Sequence, residues 1–193
     1  AAVFGLDVVK LIDRADQMRG KTQPGVAAHD NPGAWLGGGM GALSQKGRDK
    51  LILVTSPAIS SFGLWVEQLI AESTGKEGLG IIPVAGEPML SPKHYGDDRL
   101  FVYLRLEGDD NAENDEAINE IEVSGQPVVR LELRDIYDVG AEFFRWEMAT
   151  AVAGSILGIN PFDQPNVQAA KENGVDAAFV SHAEMKRLAP AMD

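Results

Sequence analysis

Cysteine is absent from the 193 residues of this chain, and histidine occurs three times, at His29, His94 and His182. The first absence removes disulfides, thiolate zinc sites and cysteine nucleophiles together, and the scatter of the second makes a histidine metal cluster a poor expectation. No metal or other cofactor is expected. Long apolar runs are missing too. No stretch approaches the roughly 20 uninterrupted apolar residues of a membrane span, and no charged-then-apolar leader opens the chain. Basic residues are scarce, 17 against 29 acidic ones, for a net charge of −12. A field of that sign disfavours nonspecific binding to nucleic acid or to anionic membranes. The 45% of hydrophobic and 24% of charged residues are still those of a folded globular chain of about one domain, expected to be soluble and cytoplasmic.

Most of the acidic excess is local. Eight carboxylates lie between Glu107 and Glu122 with no Lys or Arg among them, and removing them leaves −4 for the rest. That stretch reads as a solvated loop and helix face, docked through Ile118 and Ile121. An anionic substrate is therefore not excluded. The chain starts Ala-Ala-Val-Phe, without methionine, which leads us to expect a cut or processed beginning.

Residues 1–48 read as helices that pack on the remainder. In the first, Leu6, Val9, Ile12 and either Ala15 or Leu11 form one apolar stripe. Asp30 or Asn31 can cap a second, with Pro32 in its first turn, running through Trp35, Leu36, Met40 and Leu43. Its glycines (Gly37, Gly38, Gly39 and Gly41) lower helix propensity and read as tight helix packing, with a ligand site the alternative. From residue 49 onward, short apolar runs alternate with helices: strands at 51–55, 80–84, 100–106 and 128–133, helices at 60–73, 112–121 and 139–157. This pattern predicts an α/β fold, a three-layer αβα sandwich on a mainly parallel sheet. Such sheets bind ligands beyond the carboxyl ends of their strands, so the loops at 55–61, 85–99 and 134–138 become the first places to look.

Glu72 stands out in the helix at 60–73. Phe62, Trp65, Val66, Leu69 and Ile70 mark the buried face, and Glu67 falls on the wet side. Glu72 lies within about 20° of Trp65 at the margin of that face, in the last turn, where the helix dipole disfavours negative charge. Partial burial there would raise its pKa towards the range of a general base. A carboxylate paired with Lys76 is the structural alternative.

The segment Val66-Glu-Gln-Leu-Ile-Ala-Glu72-Ser-Thr-Gly-Lys76, followed by Gly86-Glu87-Pro88, resembles the QQLxMESNGK…GEP region of phosphoglucose isomerases. Gly154-Ser-Ile-Leu-Gly-Ile-Asn160-Pro-Phe-Asp-Gln164-Pro-Asn166-Val-Gln168-Ala-Ala-Lys171 resembles that family's C-terminal signature, G-x-I-x-x-I-N-x-F-D-Q-x-G-V-E-x-x-K. Two positions depart from it, Asn166 for Gly and Gln168 for Glu. Trp146-Glu147 falls where the family carries Tyr-Glu, and Asn31-Pro-Gly-Ala-Trp-Leu resembles its N-x-P-V-L-L helix. The wording is most similar to the isomerase part of bacterial bifunctional transaldolase/phosphoglucose isomerase fusions.

The resemblance implies an enzyme interconverting glucose 6-phosphate and fructose 6-phosphate through an enediolate, built from two sugar isomerase (SIS) domains, with this chain as the second. It implies that Glu72 is the base, that Lys171 assists ring opening and stabilises charge on oxygen, and that Gln164 lines the sugar pocket. His94 falls at the family's count from Glu87 for a ring-opening histidine, although Met89-Leu-Ser-Pro-Lys93 does not match the family's Gly-rich run. The family's Ser/Thr-rich phosphate loop and Gly-Gly-Arg segment are not found. The loop Thr55–Ser61 can be read as a phosphate cradle or as an ordinary hydroxyl-rich helix start. The expectation is a partial isomerase, inactive alone, whose partners are a sugar phosphate, the preceding SIS domain and a transaldolase domain of the same protein. A noncatalytic SIS module that binds sugar phosphates or mediates assembly is the alternative. A nucleotide-binding domain fares poorly, because no G-x-G-x-x-G follows a strand and no Walker lysine loop is present.

Overall fold

Four short hydrophobic runs pair side by side as parallel strands in a computed structural model that describes residues 5–76 and 78–163. These are β1 (Lys50–Thr55), β2 (Ile82–Ala85), β3 (Arg99–Leu106) and β4 (Val128–Leu133), in the order β2-β1-β3-β4. Register is fixed at Leu53↔Ala85, Leu53↔Val102 and Leu104↔Leu131. Alternation along the strands sorts their side chains to two faces. Leu51, Leu53, Val102, Leu104, Leu131 and Leu133 enter one core with Leu36, Val66, Ile70 and Trp146 from helices. Ile52, Val54, Phe101 and Tyr103 face the other way and meet Ile118 and Ile121. The result is the expected αβα sandwich, with one helix on the second face.

The helices are α1 (Val8–Lys21), α2 (Pro32–Ser44), α3 (Ser60–Thr74), α4 (Ala112–Val123) and α5 (Val139–Leu157). Asn31 caps α2, its Oδ1 accepting the Ala34 N–H at 2.9 Å, with Pro32 in the first turn, where its missing N–H costs nothing. The glycines of α2 divide into two sets. A Cβ on Gly37 would lie 2.3 Å from the Ala149 carbonyl oxygen, and one on Gly41 2.9 Å from the Ile156 side chain, so this side is pressed onto α5. Gly38 and Gly39 meet nothing within 4 Å.

The stripe read into α1 faces outward instead of inward. Leu6, Val9 and Ile12 are 45%, 69% and 60% exposed, and Met18 is the buried residue of the helix. Two contacts set the rotation. Gly140 at the start of α5 lets the chain approach so closely that a Cβ there would lie 2.1 Å from the Leu11 carbonyl oxygen. Arg14 is drawn inward by Asp138 at 3.1 Å and Asp135 at 3.4 Å. Among the described residues no helix is long and apolar enough to cross a membrane.

Candidate functional site

At the carboxyl edge of the sheet the crevice between β1 and β3 is filled by the chain's own side chains, while a mostly apolar cavity of about 190 Å³ remains between the starts of α3 and α5, lined by Ile59, Phe62, Ile136, Tyr137, Val139 and Phe143. The order β2-β1-β3-β4 reverses direction between β1 and β3, where an open α/β sheet normally receives a ligand. Here the Ser56 hydroxyl accepts the Leu106 N–H at 2.7 Å and donates to Asn111 Oδ1 at 2.5 Å, while Asn111 Nδ2 donates to the Leu106 carbonyl at 2.7 Å. The buried Tyr103 hydroxyl donates to Asn111 Oδ1 and Asp115 Oδ1. Burial and the neighbouring Asp115 push the Tyr103 phenol well above its ordinary pKa, so it stays a donor. Hydrogen bonding to Arg105 holds the Asp115 carboxyl below the usual carboxylate range.

In the loop at 55–61 one amide is already taken. The Ala58 N–H donates to Asp109 Oδ2 at 2.8 Å, so a carboxylate occupies the place a phosphate would take at the entrance to α3. The acidic stretch is thus more than a wet face, since Asp109 and Asp115 both hold structure. The loop at 134–138 ties down α1 through Lys10 and Arg14 to Asp135, and its own Arg134 pairs with Asp138.

Two of the motif segments end at the opposite edge, whereas Gly86-Glu87-Pro88 follows the carboxyl end of β2. In a parallel sheet each connecting helix leaves the carboxyl end of one strand and returns to the amino end of the next. The last turns of α3 and α5 therefore both lie at the amino edge. Thr74 fastens the first by accepting the Ile81 N–H at 2.9 Å and donating to the Ile70 carbonyl at 2.8 Å. Gly158, left-handed at φ 75°, ends α5 and turns the chain into Asn160. Lys76 joins the two. It is only 7% exposed, and its ammonium donates to the Asn160 carbonyl at 2.6 Å. The isomerase-like segments 66–76 and 154–163, separate in sequence, are thus bonded in space.

Glu72 sits where expected along α3, in its last turn, but it is exposed and not partly buried. Its Oε1 accepts from Gln68 Nε2 at 3.0 Å, one turn back. Glu67 reverses its expectation in the other sense. It is half-buried, and its Oε2 accepts the Ala85 N–H at 2.6 Å. A helical wheel cannot anticipate this, because the partner is a backbone group at the end of β2. His94 closes a 3-10 turn, Pro92–His94, in the loop between β2 and β3. It is exposed, with Nδ1 3.2 Å from the Ser91 hydroxyl. Glu72 and His94 share no hydrogen bond among the described residues. Gln164 and Lys171 lie outside the described residues, as does His182.

Comparison with known proteins follows the same line. No family model matches the chain. It is 25% identical to a glucose-6-phosphate isomerase of Enterococcus faecalis, over 89% of this chain and 46% of that protein. It is 30% identical to a probable glucose-6-phosphate isomerase of Methanococcus maripaludis, over 86% of this chain and 45% of the relative. The chain thus spans about half the length of the curated relatives it matches. A glucose-6-phosphate isomerase like protein from Thermus thermophilus shares the fold, with a TM-score of 0.62 at 15% identity over 86% of this chain and 56% of that one. Along nearly nine-tenths of its length, the chain is homologous to glucose-6-phosphate isomerases.

Proposed function

We propose that this chain supplies the second half of a glucose-6-phosphate isomerase active site and is inactive without the first. The observation that carries the reading is the buried Lys76 bond to Asn160, which draws the segment bearing Glu72 and the segment leading into Gln164 to one edge of the sheet. In the reaction, the Glu72 carboxylate takes the proton from C2 of the open-chain aldose, leaving an enediolate, and returns it to C1. The hydroxyl proton on O2 is lost and one is gained on O1, so the sugar gains and loses nothing overall. A carboxylate suits this shuttle because it takes and gives back one proton without a metal. The signature assigns Lys171 to lower the cost of negative charge on oxygen and Gln164 to the sugar pocket, and the count from Glu87 assigns His94 to ring opening.

Solvent exposure of Glu72 fits a half-site, because a base at the meeting of two domains is covered only when both are present. The acid-capped entrance of α3 fits as well. With Asp109 on the Ala58 N–H, the reading assigns the phosphate to another part of the enzyme. The same contact speaks against a stand-alone module that grips sugar phosphates by that loop.

In the complete enzyme, Glu72→Gln should abolish exchange of the C2 proton of glucose 6-phosphate with solvent while leaving substrate affinity nearly intact. Exchange at the wild-type rate would remove Glu72 from the role of base.

A further inference from the structure

Strand β2 lies at an edge of the sheet, and Glu67 closes that edge at its carboxyl end. Successive residues of a strand direct their N–H groups to opposite sides. The Ile82 N–H donates inward to the Asp49 carbonyl at 2.7 Å, so those of residues 83 and 85 point away from β1. Residue 83 is proline and has no N–H. The outward N–H of Ala85 is the one taken by Glu67 Oε2, at 2.6 Å. Directly after it come Gly86, left-handed at φ 72°, then Glu87 and Pro88, the start of the loop that carries His94.

That bond does more than blunt an edge. A carboxylate acceptor makes a shorter and stronger hydrogen bond than a neutral one, and this one ties the last residue of β2 to α3, five residues ahead of Glu72. Gly63, one turn earlier on α3, packs beside this contact, where a Cβ would lie 3.2 Å from the Thr55 side chain and at an ordinary contact distance of 3.7 Å from Ala85. The far end of the loop is fixed separately. Tyr95 accepts the Leu90 N–H at 2.9 Å and packs edge-on against Phe101 at 5.0 Å. Its near end is held inward by the pairing of Ala85 with Leu53 of β1 and outward by Glu67.

We propose that Glu67 is a positioning residue that sets the Gly86–His94 loop against the helix bearing Glu72. The catalytic consequence rests on the isomerase reading above.

Two variants test it, Glu67→Gln, which keeps an oxygen acceptor, and Glu67→Ala, which removes it and retains a strong helix former. Amide exchange on the chain itself should show the Ala85 N–H losing roughly tenfold protection in Glu67→Ala and little in Glu67→Gln. Exchange at amides of β3 should not change in either. In the complete enzyme, Glu67→Ala should lower kcat roughly tenfold with KM little changed, as misplacement of a catalytic loop does, and Glu67→Gln should restore most of it. Equal Ala85 exchange in all three proteins, or equal loss of kcat in both variants, would overturn the proposal. A complete wild-type enzyme without activity would instead overturn the isomerase reading, and the exchange experiment would still decide the tether.

Discussion

Among the described residues, Glu142 is the carboxylate whose ionisation this fold opposes. It is 2% exposed, its Oε1 meets Arg145 at 3.1 Å, and its Oε2 has no hydrogen-bond partner. Burial pushes its pKa up to about 7, helped by nearby Asp138 and resisted by Arg145. A raised acid stabilises the fold in full only below its unfolded pKa. From about pH 4.5 to 7 the unfolded chain releases a proton that the folded chain retains, so stability falls with rising pH, by about 3 kcal/mol at the plateau. Glu142→Gln should flatten this slope, gaining stability over wild type in urea unfolding at pH 8 relative to pH 4; parallel profiles would contradict it. The residue scale also shows where sequence reading stops. Glu72 could be singled out because its place on the wheel and at the helix end conflicts with helix stability. Glu67 could not, because its partner is a strand N–H whose direction depends on register and on Pro83.

At the scale of elements, α2 and α5 meet through glycine. Gly37→Ala would press a methyl group to within 2.3 Å of the Ala149 carbonyl, and should cost about 3 kcal/mol as the helices part. Gly38→Ala, one position on, meets open space and should stabilise by about 1 kcal/mol through helix propensity alone. Thermal unfolding of the two variants checks the contrast, and similar shifts in both would refute the packing. The tight packing was legible in the glycine content of the helix, although which glycines touch α5 was not. Strand runs and the long α5 were readable to within a residue or two, because each is an apolar run bounded by polar turns. The face of α1 was misread. Apolar periodicity predicts which side is buried only when hydrophobic burial sets the rotation. In α1 the close approach at Gly140 and the inward pull of Asp138 and Asp135 on Arg14 outweigh Val9 and Ile12.

Nearly nine-tenths of the chain matches a little under half of its relatives' length. The crevice where a lone α/β sheet binds ligands is filled by Ser56, Asn111 and Tyr103, while the segment ending in Lys76 and the segment containing Asn160 meet at the opposite edge. That displacement was not legible from strand order, whose rule points to the carboxyl edge. It follows once the two motifs are placed at the ends of α3 and α5. The most direct test of the account is the rate of fructose 6-phosphate isomerisation by the purified chain, alone and joined to the preceding SIS domain of an isomerase. The account predicts negligible turnover alone and, with that domain supplied, turnover in the ordinary enzyme range of roughly 1–1,000 per second. Turnover in that range by the chain alone would contradict it.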